Sequence, residues 1–498
     1  MKMKLWGSSK MSSHLPILLF LAPFFMGVSM PILTSKKPEL SPNITLATVS
    51  IMVVLAILNL RVVLLEGPIE YAFGGWSAPL GIAWVNDSIA AIVVLTISVV
   101  SLLSVIYGRV VVTSELAKNT PHYALILIMM SGLVGLIFAA DLFNIFVFLE
   151  VAALTGYALV GASGGKSLVY ALRYLLLGTL GATLYLLGVS YLYVATGTLN
   201  MADLADRLPE LITSTAVAAG LIFIFLGLSI KMALIPLHSW LPDAYVSAPS
   251  SVAPLLASTV TKVALVAWVR IEYMLIGPNV DVSRVPVLVL LEELGVIAAL
   301  IGGALALIQT DLKRMFAYGG VSHIGLILIG VSLGNDIGFA GGMFYLINDA
   351  VMQAGLFMIA GVVLYYHNVS TLDELKGLGH IASPWLTATL IVVAIGMVGL
   401  PPTGGFFGKW NIILGALEAQ HYIAAFAVVA STLLTFGYFL KVFAKWFHHP
   451  QSVEANSIVI ERGLRVSLGA ISFLIIALGF MSDSVTQSLL ASLNNGGL

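Results

Sequence analysis

Long apolar runs follow one another along almost the whole chain, and short polar or Gly/Pro-rich turns separate them. A helix needs roughly 20 mostly apolar residues to cross the hydrocarbon core of a bilayer, and about 14 runs reach that length. The pattern therefore predicts an all-α polytopic membrane protein. The predicted spans are 14–33, 43–65, 86–107, 121–140, 141–162, 167–195, 214–235, 250–276, 285–309, 312–334, 337–366, 384–400 (resuming to about 418), 420–447 and 463–481.

Two of these spans contain prolines that are expected to break them. Pro236 follows Lys231 by five positions in the seventh span. Pro401 and Pro402 interrupt the twelfth span, whose second half carries Lys409. Proline lacks an N–H and its ring crowds the carbonyl four residues earlier, so a helix stops or kinks there. Broken backbone at membrane depth is tolerated only inside protein or beside water, so each lysine is expected to lie near such a gap.

The spacing of the two broken spans predicts an internal repeat. They lie five spans apart, which suggests that spans 4–8 and 9–13 form two five-helix units, the second inverted relative to the first. Interrupted spans at matching positions of two halves indicate a transport pathway at the bilayer midplane. The predicted organisation is N-terminal helices 1–3 (1–110), a first repeat (121–276), a second, inverted repeat (285–447) and a C-terminal helix 14 (448–498). Segment 66–87 is predicted to be a longer loop, with a hairpin as an alternative.

Composition limits the chemistry that this chain can perform. Only 9% of its residues are charged, whereas a soluble domain carries roughly 25%. The chain has no cysteine, which excludes a disulfide, a thiolate metal site and an iron–sulfur cluster built from its own residues. The net charge of −1 gives no reason to expect nucleic acid, and no phosphate-binding loop or zinc-ligand spacing is present. We therefore expect no cofactor on this chain, with any redox chemistry belonging to a partner.

The distribution of lysine and arginine predicts the orientation in the membrane. Basic residues concentrate on the face that holds the odd-to-even connections, which is therefore predicted to be cytoplasmic, with both termini outside the plasma membrane of a prokaryote. Asp311, Lys313 and Arg314 are predicted to form a solvated charged turn on this face. The basic residues that define it are Lys36, Lys37, Arg109, Lys118, Lys166, Arg173, Lys313, Arg314, Lys376, Lys441, Lys445, Arg462 and Arg465.

Few charged residues remain inside the predicted spans, and these are the candidates for chemistry. Glu150 lies in the fifth span with Asp141 at its start, and Lys231 lies in the seventh with no carboxylate close in sequence. Intramembrane ionisable residues are costly and are usually functional. A Glu150–Lys231 pair would keep both groups charged, and separating the two would release a proton. The alternatives are a lysine that snorkels to the interface and a static ion pair that joins two helices.

Further titratable residues extend this set through the later spans. Lys262 lies in the middle of its span, His238 follows the first break, His323 lies deep in the tenth span and Asp349 is another intramembrane acid. Lysine and histidine both suit proton storage and transfer, although a lone histidine is more often a packing residue. A row of such groups, linked by water, is predicted to carry ions sideways through the bundle: Glu150, Lys231, Lys262, His323 and Lys409.

Five stretches of the sequence resemble those of a known family. They are DLFNIFVFLE (141–150), KMALIPLHSWLPDAYVSAPSSVAPLLAS (231–258), TKVALVAWVR (261–270), DLKRMFAYGGVSHIG (311–325) and GLPPTGGFFGKW (399–410). With them the chain resembles the antiporter-like subunits of respiratory complex I, of Mrp-type Na+/H+ antiporters (their D-type subunit especially), and of energy-converting membrane-bound hydrogenases and their sulfane-reductase relatives. The resemblance covers roughly spans 3 to 13.

This resemblance implies the same helix count, two inverted five-helix units, and roles for the buried charges. It implies that Glu150 and Lys231 are a switch pair, that Lys262 is a central relay, and that Lys409 is the terminal lysine. His238 and His323 match relay or bridging histidines. Many relatives have a histidine in the eleventh span, and the Mrp-like ones a lysine four residues later, where this chain has Asp349 and Gln353. That departure leaves two alternatives, a relay of altered charge or a cation site at Asp349.

The sequence thus predicts an antiporter-like subunit that translocates protons, sodium ions or both within a multisubunit membrane complex. The expected partners are other membrane subunits, including homologous antiporter-like ones, together with peripheral redox subunits that carry iron–sulfur clusters, and lipid. The alternatives are a structural membrane anchor without an ion path, a stand-alone Mrp-type Na+/H+ antiporter component, and a stand-alone solute permease, which fits the broken helices but not the row of lysines. The sequence leaves open the translocated ion, the parent complex, and its electron donor and acceptor.

Overall fold

The chain is built almost entirely of α-helices. The computed structural model describes residues 13–211, 214–276, 287–448 and 459–494. Within them the helices are α1 (Leu15–Leu33), α2 (Ser41–Glu66), α3 (Ser88–Val111), α4 (Ser114–Ala117), α5 (Thr120–Phe138), α6 (Leu142–Gly161), α7 (Lys166–Thr196), α8 (Met201–Leu211), α9 (Thr215–Lys231), α10 (Trp240–Ser247), α11 (Ala253–Ile271), α12 (Val287–Ile308), α13 (Leu312–Ser332), α14 (Asp336–His367), α15 (Pro384–Val398), α16 (Gly404–Glu418), α17 (Tyr422–Trp446), α18 (Arg462–Phe480) and α19 (Ser482–Asn494).

Most of these helices are long and apolar enough to cross a membrane. Twelve of them meet that description among the described residues, and α9 and α15 are shorter apolar helices. The predicted all-α polytopic membrane fold is therefore confirmed. Helices α11, α13 and α14 are almost completely buried in the bundle, so their polar side chains cannot face lipid. The count of about 14 spans, which needs each broken pair to cross once, stays a prediction.

Both predicted breaks are present. Helix α9 ends at Lys231 and α10 begins at Trp240, while α15 ends at Val398 and α16 begins at Gly404. The prolines identified in the sequence lie within these two gaps. Each gap also contains a residue in the left-handed region, Ala233 with φ 58° and Gly399 with φ 82°. The chain therefore turns away from helical geometry at the same place in both broken spans, next to a lysine-bearing helix.

Segment 66–87 contains a hairpin, one of the two predicted alternatives. Strand β1 (Ile69–Ala72) pairs antiparallel with β2 (Ala83–Asn86). Helices α8 and α19 lie where the sequence predicted only connections and a tail. Both are short, at 11 and 13 residues, and carry polar residues. A search for apolar runs of about 20 residues therefore does not detect them.

Two aspartates cap helices at matching positions of the predicted repeats. Asp141 accepts a hydrogen bond from the Asn144 amide at 2.8 Å at the start of α6, and Asp311 accepts one from the Arg314 amide at 2.8 Å at the start of α13. The next residue is a leucine in both cases. The Leu142 N–H donates to the Leu199 carbonyl and the Leu312 N–H to the Ser370 carbonyl, each at 2.9 Å. Both carbonyls lie in segments that follow a later helix. The two helix starts are thus built in the same way.

The predicted solvated turn at Asp311, Lys313 and Arg314 is wrong. Asp311 is the cap just described, and Lys313 is only 9% exposed. Arg314 donates to Asp243 of α10 at 2.8 Å, and Arg173 of α7 reaches the other carboxylate oxygen at 3.2 Å. A pattern of three charges in four residues usually indicates a wet turn, but here the carboxylate that binds Arg314 comes from a distant helix.

Close glycine packing fixes the helix that ends at Lys231. A Cβ added to Gly227 of α9 would lie 2.5 Å from the Gly181 carbonyl oxygen of α7, and one added to Gly188 would lie 2.5 Å from the Gly220 carbonyl oxygen. Small residues at such crossings let two membrane helices approach until their backbones touch. The position of Lys231 therefore depends on these four glycines.

We expect Gly227→Ala to destabilise the protein by about 1–3 kcal/mol, because the new methyl group forces two backbones apart. The matched control is Gly156→Ala, where an added Cβ meets nothing closer than 3.7 Å. Thermal unfolding of both purified variants in detergent checks this. Equal midpoints for the two variants would contradict the packing argument.

Candidate ion-translocation site

The structure brings Glu150 and Lys231 together. Glu150 lies in the middle of α6, and Lys231 is the last residue of α9. The Lys231 amine donates to Glu150 Oε1 at 2.8 Å and to the Tyr157 hydroxyl at 3.2 Å. Its side chain is 7% exposed, so the amine does not snorkel to the interface. The pair is therefore a charged contact inside the bundle, between helices α6 and α9.

A second buried cluster is centred on Asp349 of α14. The Lys262 amine of α11 lies 2.7 Å from Asp349 Oδ2, and His323 Nδ1 of α13 lies 2.7 Å from Oδ1. All three side chains are 3% exposed or less. The Lys262 amine also donates to the Ala257 carbonyl at 3.0 Å. One carboxylate thus serves two nitrogen bases from two other helices, with both of its oxygens in use.

Lys409 is held without a carboxylate. Its amine donates to the carbonyls of Met397 at 2.8 Å and Val398 at 3.2 Å, the last two residues of α15. The C-terminus of a helix carries a partial negative charge, so it stabilises an ammonium group. The amine also lies 5.8 Å from the Tyr345 ring centroid. Lys409 therefore sits at the second break as Lys231 sits at the first, but with peptide dipoles in place of an acid.

Tyr345 of α14 connects the second cluster to Lys409. Its ring centroid lies 5.2 Å from that of His323, and its other neighbour is the Lys409 amine. Within the described residues, the buried Tyr345 hydroxyl has no hydrogen-bond partner. Lys262, Asp349 and His323 are thus joined by polar contacts, and the Tyr345 ring packs between His323 and Lys409.

Two predicted site residues lie outside these clusters. Asp141 is the cap of α6, and with a rise of about 1.5 Å per residue it lies about 13 Å along the helix from Glu150. His238 lies in the first gap, and its ring packs on that of Tyr318 at 6.0 Å. Within the described residues, no hydrogen bond or ion pair joins the Glu150–Lys231 pair to Lys262. A proton passing between them would need water.

The sequence did not identify the tyrosines or the partner of Lys262. Tyr157 lies two turns after Glu150 on α6. Residues seven apart share a helix face, so this spacing could have predicted that the two side chains lie close together. The Lys262–Asp349 contact joins residues 87 positions apart, and nothing local predicts it. A third buried pair, Arg270 with Asp87 at 2.9 Å, likewise joins residues far apart in the sequence. Its burial shows that span ends here are covered by protein.

The arrangement favours proton or cation movement over covalent chemistry. The described residues contain no group of three or more histidine, aspartate or glutamate side chains that could hold a metal ion. Both Asp349 oxygens are taken by nitrogen bases, so a cation at Asp349 would first have to displace one of them. What the residues offer is a series of bases and acids whose charges are balanced in pairs, separated by steps that water or a tyrosine could bridge.

Comparisons with known proteins agree with this geometry. Residues 139–435 match the family model described as NADH:quinone oxidoreductase/Mrp antiporter, TM. The chain is 38% identical to the N subunit of NADH-quinone oxidoreductase from Desulforudis audaxviator, covering 87% of this chain and 86% of the relative. It is 31% identical to the D-type subunit of the Na(+)/H(+) antiporter from Alkalihalophilus pseudofirmus, covering 95% of both.

A solved structure has the same fold. A chain of the membrane-bound sulfane sulfur reductase, an archaeal respiratory membrane complex, superposes with a TM-score of 0.89 at 28% identity, covering 96% of this chain and 97% of that one. The family match includes every lysine, histidine and acid of the two clusters. The chain therefore belongs to the NADH:quinone oxidoreductase/Mrp antiporter transmembrane family.

Proposed function

We propose that this chain is an ion-translocating subunit of a multisubunit membrane complex, and that protons, sodium ions or both cross the membrane through its buried charges. Its relatives bear the names of a quinone oxidoreductase subunit and a sodium/proton antiporter subunit. The observation that carries the proposal is the chain of buried groups from Lys262 to Lys409, three of whose helices, α11, α13 and α14, are almost completely buried. Such a chain has no use in lipid anchoring and is expensive to maintain.

The geometry supports a switch at the first break. While Lys231 is paired with Glu150, its ammonium charge is compensated. If α9 or α10 shifts at the gap, the pair separates and the ammonium loses its counter-charge, so a proton leaves it for the next base. The Tyr157 hydroxyl also holds the amine, at 3.2 Å. The same logic applies at the second break, where movement of α15 would remove the carbonyls from Lys409.

A purely static role fits the first pair but not the whole set. Glu150–Lys231 alone could be a structural ion pair, since breaking such pairs is costly. Lys409, however, has no acid in contact with it among the residues that the structure describes, and it rests on two carbonyl oxygens. A structural anchor would gain nothing from an ammonium group there, whereas a relay needs a terminal base that can give up its proton.

The two predicted repeats are part of this proposal. The matching caps at Asp141 and Asp311 and the matching gaps after Lys231 and before Lys409 support them. We propose that residues 121–276 and 285–447 are the two inverted units, flanked by 1–110 and 448–498. The chain then lies in a prokaryotic plasma membrane with its basic face cytoplasmic and both termini outside.

We propose further that this chain carries no cofactor of its own and works beside other antiporter-like subunits. In the sulfane sulfur reductase the similar chain belongs to a respiratory membrane complex. Since this sequence has no cysteine to hold an iron–sulfur cluster, electron transfer would take place on peripheral partners and would reach this chain only as a conformational change.

Glu150→Gln tests the proposal. We expect it to lower coupled ion translocation by about a hundredfold or more, because the neutral amide no longer balances Lys231, a loss at the low end of that for removing a proton-transfer group. The measurement is ion uptake by the complex reconstituted in proteoliposomes. Asp373→Asn is the matched control, since Asp373 also pairs with a lysine at 2.8 Å but is 77% exposed. Equal rates for wild type and Glu150→Gln in assembled complex would contradict the proposal.

A further inference from the structure

A wide cavity opens on the basic face, between the two proposed units. Its volume is about 480 Å³, and its polar lining includes Thr113, Glu115, Ser247, Ser250, Ser251 and Lys313. The Lys313 amine donates to Ser250 Oγ at 3.2 Å in its wall. We refer to this cavity as the vestibule. Its size admits many waters, and it carries charged groups of both signs.

A smaller cavity shares one lining residue with the vestibule. Its volume is about 20 Å³, it lies between α3, α5 and the start of α11, and Ser251 lines both cavities. We refer to it as the inner cavity. A cavity needs roughly 10–15 Å³ of such volume and two to four polar partners to hold a water molecule. The inner cavity meets the first requirement.

The inner cavity also meets the second requirement. Among the described residues, four buried side-chain atoms of its lining residues have no hydrogen-bond partner, and these atoms are Ser104 Oγ, His122 Nδ1, Tyr123 OH and Ser251 Oγ. A buried polar atom left unpaired costs about 1–3 kcal/mol, so four such atoms on residues that line one space favour the binding of water there. His122 is 3% exposed. The other charged or titratable groups that line the cavity beside it are Arg109 and Tyr123.

Helix α11 leads from the inner cavity to Lys262. Leu255 lines the cavity, and Thr259 and Lys262 follow it at i+4 and i+7, the same helix face. The distance along the axis is about 10 Å. Thr259 is fully buried, and the Lys262 amine points back toward the cavity end of the helix, since it donates to Ala257. The amine thus reaches part of the way to the cavity.

We infer that the vestibule and the inner cavity form a proton inlet to Lys262, with His122 as the group that accepts and passes on the proton at its narrow end. The inference rests on the proposed function, because an inlet matters only if Lys262 is a relay. A histidine suits this place because one ring nitrogen can take up a proton while the other releases one. Water in the vestibule supplies the protons, and Ser251 marks the point of entry.

Single cysteines test the inlet directly, since the chain has none of its own. Ser251→Cys and Ser104→Cys should react with a membrane-impermeant thiol reagent added from the basic face of proteoliposomes, because alkylation needs hydrated thiolate. Ser247→Cys in the vestibule is the positive control. Val94→Cys, at a fully buried apolar position of the same α3 helix, should not react. Reaction at Ser247→Cys together with protection of both Ser251→Cys and Ser104→Cys would overturn the inlet.

Transport by the His122→Leu variant tests the inlet separately from the proposed function. We expect proton uptake from the basic face to fall by about a hundredfold, in line with the loss of one proton-transfer group. His122→Lys, which keeps a titratable base, should recover part of the rate. If Glu150→Gln is impaired but His122→Leu transports at the wild-type rate, the proposed function stands and the inlet is wrong. If both variants transport normally, the proposed function itself fails.

Discussion

Asp349→Asn is expected to abolish ion translocation and to destabilise the protein by about 3–5 kcal/mol, the usual cost of breaking a buried ion pair on one side. The neutral amide would leave the Lys262 ammonium, which is 3% exposed, without a counter-charge. His323 would lose its carboxylate partner at the same time. Thermal unfolding of the purified complex measures the first effect, and ion uptake by proteoliposomes measures the second.

The double variant Asp349→Asn with Lys262→Met separates stability from transport. Removing both members of a buried pair is often neutral for stability, so the unfolding midpoint should return most of the way to that of wild type. Transport should stay lost, because the middle of the relay is gone. Wild-type transport by the double variant would contradict the role of this cluster, and a midpoint as low as that of Asp349→Asn would contradict the charge argument.

Lys231→Ala is expected to abolish translocation while the complex still assembles. The substitution removes the ammonium at the first break and leaves Glu150, whose side chain is 19% exposed, without its partner. Since Glu150 retains some contact with solvent, we expect the stability loss to be smaller than for Asp349→Asn. Subunit composition after affinity purification shows assembly, and ion uptake shows the loss.

Lys231→Arg makes this test sharper. A guanidinium can still pair with Glu150, but it keeps its proton at any physiological pH. If Lys231 must release a proton, the arginine variant should be stable, assembled and inactive. Activity near the wild-type level would instead favour a static ion pair, the alternative that the sequence left open.

The long helices and both breaks were predictable from the sequence because each has a strong local cause. An apolar run of 20 residues has few other ways to be satisfied than crossing a membrane, and Pro236 and Pro402 end helices by their own chemistry. The same holds for Lys231 and Lys409, which stand out in apolar surroundings. The sequence identified both lysines as site candidates, whereas only the fold revealed the groups that contact them.

Contacts between distant helices could not be predicted in this way. Lys262 and Asp349 lie on α11 and α14, and periodicity gives no information on which helices become neighbours. The burial of Lys313 was missed for the same reason, since its surroundings come from α10 and the segment after it. The inlet rests on Ser104, His122 and Ser251, which lie on separate segments and are common polar residue types. Only the fold shows that all three line one cavity.

The carboxylate of Asp243 bridges Arg173 of the first proposed unit and Arg314 of the second. Arg173 is 61% exposed and Arg314 33%, so dissolved salt reaches the two bonds unequally, with a screening length of about 8 Å at physiological ionic strength. At high salt concentration the Arg173 ion pair weakens first, whereas the buried charges of the two clusters are not screened. Rising salinity would therefore loosen α7 from α10 within the first unit before it weakened the Arg314 bond that joins the two units.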